Sequence, residues 1–192
     1  MTATANEGTF VADKHTFTAN GSFDFVATDA AGNVTTKPVT ITNIDKTAPV
    51  ITIGDYNTAA TNVDIIVTAT ANEGTFVADK HTFTANGSFE FVVTDAAGNV
   101  TLKKVTITNI DKTAPVITAK TAAKANVKSG ASVKTSYVIV TIIEKNKGTN
   151  TVTLKGKKVT YPSSGKFTAK GSYVITSKDK AGNVEIFKFT IK

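Results

Sequence analysis

The chain has 192 residues, 41% of them hydrophobic, with 22 lysines, no arginine, 15 acids and a formal net charge of +7, and it contains neither Cys nor Trp. That apolar fraction suffices for folded cores, while the missing thiols exclude a disulfide framework, a thiol nucleophile and a zinc–thiolate centre. No apolar run is long enough for a membrane-spanning helix. Residues 1–4 lack the charged start and apolar stretch of a signal peptide, so the chain reads either as intracellular or, the favoured reading, as a fragment of a longer exported protein.

The 35 threonines, with frequent Val, Ile and Phe, suit a pleated, half-buried surface because branching at Cβ or an aromatic ring packs across neighbouring strands. No helical stripe of apolar residues interrupts them, and an all-β chain is expected. An internal repeat organises it. Residues 2–52 recur at 68–118 with four differences: Asp24 becomes Glu90, Ala27 becomes Val93, Thr36 becomes Leu102 and Pro38 becomes Lys104. A diverged third copy is anchored by GSYVITSKDKAGNV at 171–184 against GSFEFVVTDAAGNV at 87–100. The offset grows from 66 to 84 residues there, an insertion of 18, which falls mostly after Lys120 and within TVTLKGKKVTYPSSGKF.

Taken in order, residues 1–45 form an incomplete repeat. It has no counterpart of residues 46–67, which carry the first strand and most of the second. Such a unit exposes strand edges and part of a core, so it is expected to fray or to be completed by strand exchange with another copy of the chain. The remaining alternative is a permuted phase in which residues 49–67 pair back onto it. Residues 46–111 form a complete repeat. Its first strand is expected at 49–53, and Val63, Ile65, Val67 and Ala69 alternate with polar neighbours in a second. Short strands follow near 75–78 and 81–84. Asn86-Gly87 then turns into a strand whose core side is Phe89, Phe91 and Val93. Residues 95–99, with Gly98 able to take positive φ, close a hairpin onto Val105 and Ile107. Residues 112–192 form a Lys-rich repeat of the same pattern, with Val138, Val140 and Ile142, then Tyr173 and Ile175, then Phe187, Phe189 and Ile191 facing inward. About six or seven short strands, each with one apolar side, bury that side when two sheets pack face to face.

NIDKTAPVIT at 43–52 and 109–118, with TDAAGNV at 28–34 and 94–100, resembles the linker and last hairpin of bacterial Ig-like repeats of cell-surface and adhesin-type proteins. The resemblance covers essentially the whole chain. It implies tandem Ig-like β-sandwiches arranged end to end and a location at the bacterial cell surface or outside the cell. It also implies a non-catalytic role as a spacer or stalk. The third copy departs from the pattern with KDKAGNV at 178–184 and no further linker after it. Pro49 and Pro115 restrict the linkers and bias Ala48 and Ala114 towards extended geometry. Each module should then add on the order of 35 to 40 Å, for longest strands of about ten residues at roughly 3.3 Å each.

Charge is uneven. Residues 1–114 carry 7 lysines and 12 acids, net −5, whereas 115–192 carry 15 lysines and 3 acids, net +12. Lys155, Lys157, Lys158, Lys166 and Lys170 are therefore candidates for meeting an anionic cell-wall polymer or acidic polysaccharide, against the simpler reading that lysines keep strand edges soluble. Tyr137 and Tyr161 are the candidate sugar-stacking rings of the runner-up function, a polysaccharide or cell-wall binding module in the third copy. Without arginine the bidentate contacts of specific nucleic-acid recognition are missing. For calcium, the candidate ligands are Asp45, Glu73 and Asp95, and Asp111 with Asp179, since a linker acid should approach the last hairpin of the following repeat. Those hairpin aspartates are equally explained by bonds to their own backbone, and no metal or other cofactor is assigned. His15 and His81 occupy one repeat position without a Ser–His–Asp spacing or metal motif, so no catalytic residue is assigned.

Overall fold

The computed structural model describes residues 1–192 and contains seventeen strands and no helix. The all-β expectation is met. The chain divides into two compact units, Met1–Thr52 with Thr70–Val77 and Phe91–Lys103, and Ile53–Ala69 with Ala78–Glu90 and Lys104–Lys192.

In the first unit, β1 (Thr9–Phe10), β2 (Gly21–Thr28) and β3 (Val34–Ile41) form a sheet in the order β1-β2-β3. Antiparallel pairing runs from Gly21 opposite Ile41 to Thr28 opposite Val34. Period-2 alternation buries Phe25 on β2 and leaves Ser22 and Asp24 outside. Pro38 lies opposite Asp24 on β3, an edge strand of this sheet, where a missing N–H costs no ladder bond. The first residues fold back along the chain: Thr2 bridges Lys14, and the Met1 ammonium donates to the His15 carbonyl at 2.9 Å. The permuted alternative does not occur. Val50 N–H donates to Asn72 Oδ1 at 2.6 Å and Asn72 N–H to the Val50 carbonyl at 3.3 Å, so this strand belongs with the second copy.

The second copy contributes β4 (Ile51–Ile53), β5 (Ile65–Ala71), β6 (Thr75–Phe76), β7 (Lys80–Phe83), β8 (Gly87–Thr94) and β9 (Val100–Ile107), in sheets ordered β4-β5-β7 and β6-β8-β9. Ile65, Val67 and Ala69 are buried, as the alternation requires. Val63 departs from it, lying outside β5 and 61% exposed. The cause is local: Val63 N–H donates to Thr61 Oγ1 at 3.3 Å, a turn that delays the strand, while Thr61 itself bridges Ile110 in parallel.

The third copy lies within the second unit and holds β10 (Val116–Thr121), β11 (Ala131–Val133), β12 (Val138–Ile143), β13 (Lys147–Leu154), β14 (Lys157–Val159), β15 (Lys166–Phe167), β16 (Gly171–Asp179) and β17 (Val184–Ile191). A three-stranded sheet, β10-β12-β15, and a five-stranded one, β11-β17-β16-β13-β14, enclose one core. Val138, Val140 and Phe167 come from one sheet, and Val152, Tyr173, Ile175, Phe187, Phe189 and Ile191 from the other. Burial of each such side chain stabilises by about 1.5–3 kcal/mol. Part of the insertion is the β13–β14 hairpin, which turns at Lys155 and Gly156 with φ of 51° and 79°, the left-handed pair of a two-residue turn. The parallel pairing of β11 with β17 is a feature the repeat pattern does not contain.

Candidate functional site

The chemistry-bearing side chains gather where a linker meets a hairpin. In the hairpin after β8, Asp95 Oδ1 accepts from the Ala97 and Asn99 N–H groups at 2.9 and 2.8 Å, and its Oδ2 accepts from Asn99 Nδ2 at 2.8 Å. The same Asn99 amide donates to the Asp45 and Thr47 carbonyls, both at 3.2 Å. One side chain thus ties hairpin to linker. The third copy repeats the arrangement: Asp179 Oδ1 accepts from Gly182 and Asn183 N–H, and Asn183 Nδ2 donates both to Asp179 Oδ2 at 2.7 Å and to the Asp111 carbonyl at 2.8 Å. Asp179 is only 3% exposed, so its charge rests on these donors. The first copy has only the local half, with Asn33 Nδ2 on Asp29 Oδ2 at 2.8 Å.

Two acid trios result. Ligand oxygens of Asp45, Glu73 and Asp95 lie within 4.8 Å of one another, and so do those of Asp111, Glu144 and Asp179. Sequence reasoning named five of the six and missed Glu144. The signal was present but displaced, because the third copy reads Glu144-Lys145-Asn146 where the second reads Asn72-Glu73. The all-carboxylate donor set suits a hard cation such as calcium. Protein donors already serve several of these oxygens: Thr113 N–H donates to Asp111 Oδ1 at 3.0 Å, Asn146 Nδ2 donates to Asp111 Oδ2, and Asn146 N–H donates to Glu144 Oε1 at 2.7 Å. The bond from Asn99 holds the Asp95 carboxyl below its ordinary range, and the Thr113 N–H, then the Asn146 amide, do the same for Asp111.

The ligand candidates of the third copy meet in two pairs, Lys158 with Tyr161 along one groove and Lys166 with Tyr137. Lys155, Lys157 and Lys158 lie exposed on the β13–β14 hairpin, and Lys166 and Lys170 are exposed on β15 and after it. Tyr161 is not a free platform. Its hydroxyl donates to the Val140 carbonyl at 3.0 Å and its ring meets Phe167 edge-on, so burial pushes the phenol pKa up. Tyr137 is half-buried, and the Lys166 ammonium stands 4.2 Å from its ring centroid, covering one face. His15 and His81 stack on Phe23 and Phe89 at 3.9 Å, a packing role.

Sequence reasoning also missed Asn20 and Asn86. Each holds a downstream isoleucine by two bonds: Asn86 Nδ2 donates to the Ile110 carbonyl at 2.9 Å while Ile110 N–H donates to Asn86 Oδ1 at 2.8 Å, and Asn20 does the same with Ile44 at 3.0 and 2.8 Å. Their identical placement before Gly21 and Gly87 made them read as turn residues alone.

Neither a protein-family model nor a curated protein matches the chain. Among solved structures, extracellular domains 3–5 of Drosophila OTK are similar to it over 90% of this chain and 70% of that one, at 13% identity and a TM-score of 0.33.

Proposed function

We propose that the chain is a run of Ig-like β-sandwiches, at residues 1–45, 46–111 and 112–192, serving as a non-catalytic spacer in an exported bacterial surface protein. One observation carries the reading. A hairpin asparagine donates to the linker backbone at both joints, Asn99 to the Asp45 and Thr47 carbonyls and Asn183 to the Asp111 carbonyl. A connection in which the same asparagine-to-aspartate-carbonyl bond is built twice is suited to setting modules at a fixed angle and spacing. The polar groups at these positions are spent on holding backbone, as a structural role demands. The linker sequences, through their resemblance to bacterial Ig-like repeats, support the surface setting. Small-angle scattering tests the reading. Three modules on the order of 35 Å each, end to end, give a radius of gyration of about 30 Å, whereas a compact chain of this length gives about 16 Å. A value near the latter refutes the spacer.

The five exposed lysines of the strongly basic third copy favour a second reading, attachment to an anionic cell-wall polymer. Pull-down on cell walls with the whole chain, compared with a variant in which Lys155, Lys157, Lys158, Lys166 and Lys170 become Gln, separates the two. Binding that vanishes in the variant and weakens with salt supports attachment. Equal recovery of both proteins removes it.

A further inference from the structure

The outer face of the five-stranded sheet carries a different charge pattern from its counterparts in the other copies. The same hydroxyl pair marks the register of the last hairpin in each copy, Ser22 with Thr40, Ser88 with Thr106 and Ser172 with Thr190. Two residues further along, Asp24 lies opposite Pro38 in the first copy and Glu90 faces Lys104 in the second, whereas in the third Val174 lies opposite Lys188. Four residues beyond that, Thr28 and Thr94 give way to Lys178, opposite Val184. On this one face an acid has become a valine and a threonine a lysine. A need to keep strands soluble accounts for the added lysine, but not for the loss of an outward acid to an aliphatic side chain.

The insertion widens the same face. Cross-strand partners share a face, and the register runs Lys158–Thr153–Val174–Lys188 in one row across β14, β13, β16 and β17, with Thr151–Thr176–Ile186 and Thr149–Lys178–Val184 in the next two. No acid of the third copy lies in these rows: Glu144 and Asp179 belong to the acid trio, and Glu185 has the inward phase opposite Ser177. Three strand steps of about 4.8 Å put the backbones of Lys158 and Lys188 about 14 Å apart, a spacing suited to successive charges along a chain rather than to one anionic group. A groove of about 570 Å³, lined by Asn150, Thr151, Lys158, Val159, Thr160 and Tyr161, opens beside β14 and shares Thr151 and Lys158 with the face. A flat lipid surface would have no use for that groove, and the closely spaced phosphates of a nucleic acid would meet only separated lysines and no arginine.

We propose that this face, with the groove at its edge, docks a sparsely charged acidic polysaccharide laid across the strands, its carboxylates meeting Lys158 and Lys188 and its hydroxyls bonding the threonine rows. Lysine supplies a movable point charge there, and each threonine hydroxyl both donates and accepts. The inference rests on the attachment reading above and assigns its face and its polymer class.

The test uses the full chain and a fluorescent hyaluronan oligosaccharide, whose carboxylates stand on alternate sugars, with binding followed by anisotropy at low salt and by amide shifts. Saturable binding is expected, with shifts at Thr153, Thr176 and Lys188. Val174→Glu restores the acid that the second copy carries in the same place, and Lys178→Thr restores its threonine; together they should weaken binding at least about tenfold. K120Q/K124Q removes as much positive charge away from this face and should stay within about twofold of the unaltered chain. Undiminished binding by V174E/K178T, or equal weakening by the two variants, overturns the proposal. Failure of the oligosaccharide to bind the unaltered chain overturns it too, and if that chain is still pulled down on cell walls the attachment reading survives the result. Tighter binding to vesicles rich in anionic lipid, or to single-stranded DNA, overturns the choice of partner.

Discussion

Replacing Asn183 by Ala isolates the clamp between hairpin and linker, and Asn33→Ala supplies the control from the same chain. Asn183 Nδ2 makes one bond to the Asp179 carboxylate and one to the Asp111 carbonyl. A bond to a charged acceptor contributes about 1.5–3 kcal/mol and a neutral one about 0.5–1.5. The truncation also strips a donor from a carboxylate that is 3% exposed, where water cannot readily replace it. The two backbone N–H groups on Asp179 Oδ1 survive the change and keep the hairpin turn, so a loss of about 2–3 kcal/mol is expected rather than the full sum. Asn33→Ala removes one bond at an exposed site, where water takes over, and should cost about 0.5 kcal/mol. Urea unfolding read residue by residue from amide signals keeps the copies apart, since a single transition is not assured in a chain of repeats. Signals of Ile175 and Phe189 should report the first substitution and those of Phe25 the second. Equal losses, or a larger one for Asn33→Ala, would show that the linker bond contributes nothing.

Truncating Ile175, fully buried in the third core, should cost about 2–5 kcal/mol, whereas Ile139→Ala on the outer face should stay within about 0.5; similar losses in denaturant unfolding would place the core wrongly. Gly165→Ala should destabilise by at least about 1 kcal/mol, because φ is +66° and an added Cβ would meet the Val140 carbonyl oxygen; an unchanged midpoint would contradict the turn. The carboxyls of Asp29, Asp95 and Asp111 are held below the ordinary 3.8 by their hydrogen bonds, so their contribution is present above that value and is lost as pH falls through the lower folded values. Stability should therefore decline below about pH 4, and N99A should flatten the decline at residues 95–99; an acid limb unchanged by N99A rules this cause out. Glu73→Gln should raise stability by up to about 0.5 kcal/mol in calcium-free buffer by relieving repulsion within the first trio, and should abolish any calcium-dependent gain in melting temperature seen at that trio; a lower stability without calcium would contradict the repulsion.

The strand content was legible because two-residue alternation is a strong signal in this chain. Ile65, Val67 and Ala69 were placed inward from sequence and are buried, as are Tyr173, Ile175, Phe187, Phe189 and Ile191. Local chemistry overrode the pattern at Val63, where the Thr61 hydroxyl captured its N–H. The candidate site was legible only in part. Approach of Asp45 to Asp95 followed from the order linker, then hairpin, but a side chain joining them had no sequence signature, because Asn after Gly is already accounted for by the turn. The packing of Tyr161 was hidden for a related reason. Its alternation phase could not reveal that the insertion would bring Phe167 and the Val140 carbonyl to its ring and hydroxyl.

The way the copies differ follows from these contacts. Between the first and second copies all four differences fall on β2, β3 and their counterparts, while the hairpin at 28–34 and the linker at 43–52 are unchanged. On a strand, an exchange such as Asp24 to Glu90 alters one outward side chain, and Ala27 to Val93 adds methyls on the inward phase. In the hairpin, one asparagine serves acceptors on two segments and one aspartate gathers two backbone N–H groups of the turn and a side-chain amide, so a single change there unpairs several groups together. The third copy drifts far more, yet its hairpin separates the two kinds of position. Asp179, Gly182 and Asn183 persist, whereas Lys180 replaces the exposed Ala96, whose side chain has no bond to make. What is kept across all three copies is the Asp, Gly and Asn of the hairpin, whose atoms hold the turn in each copy and, in the second and third, also the linker carbonyls.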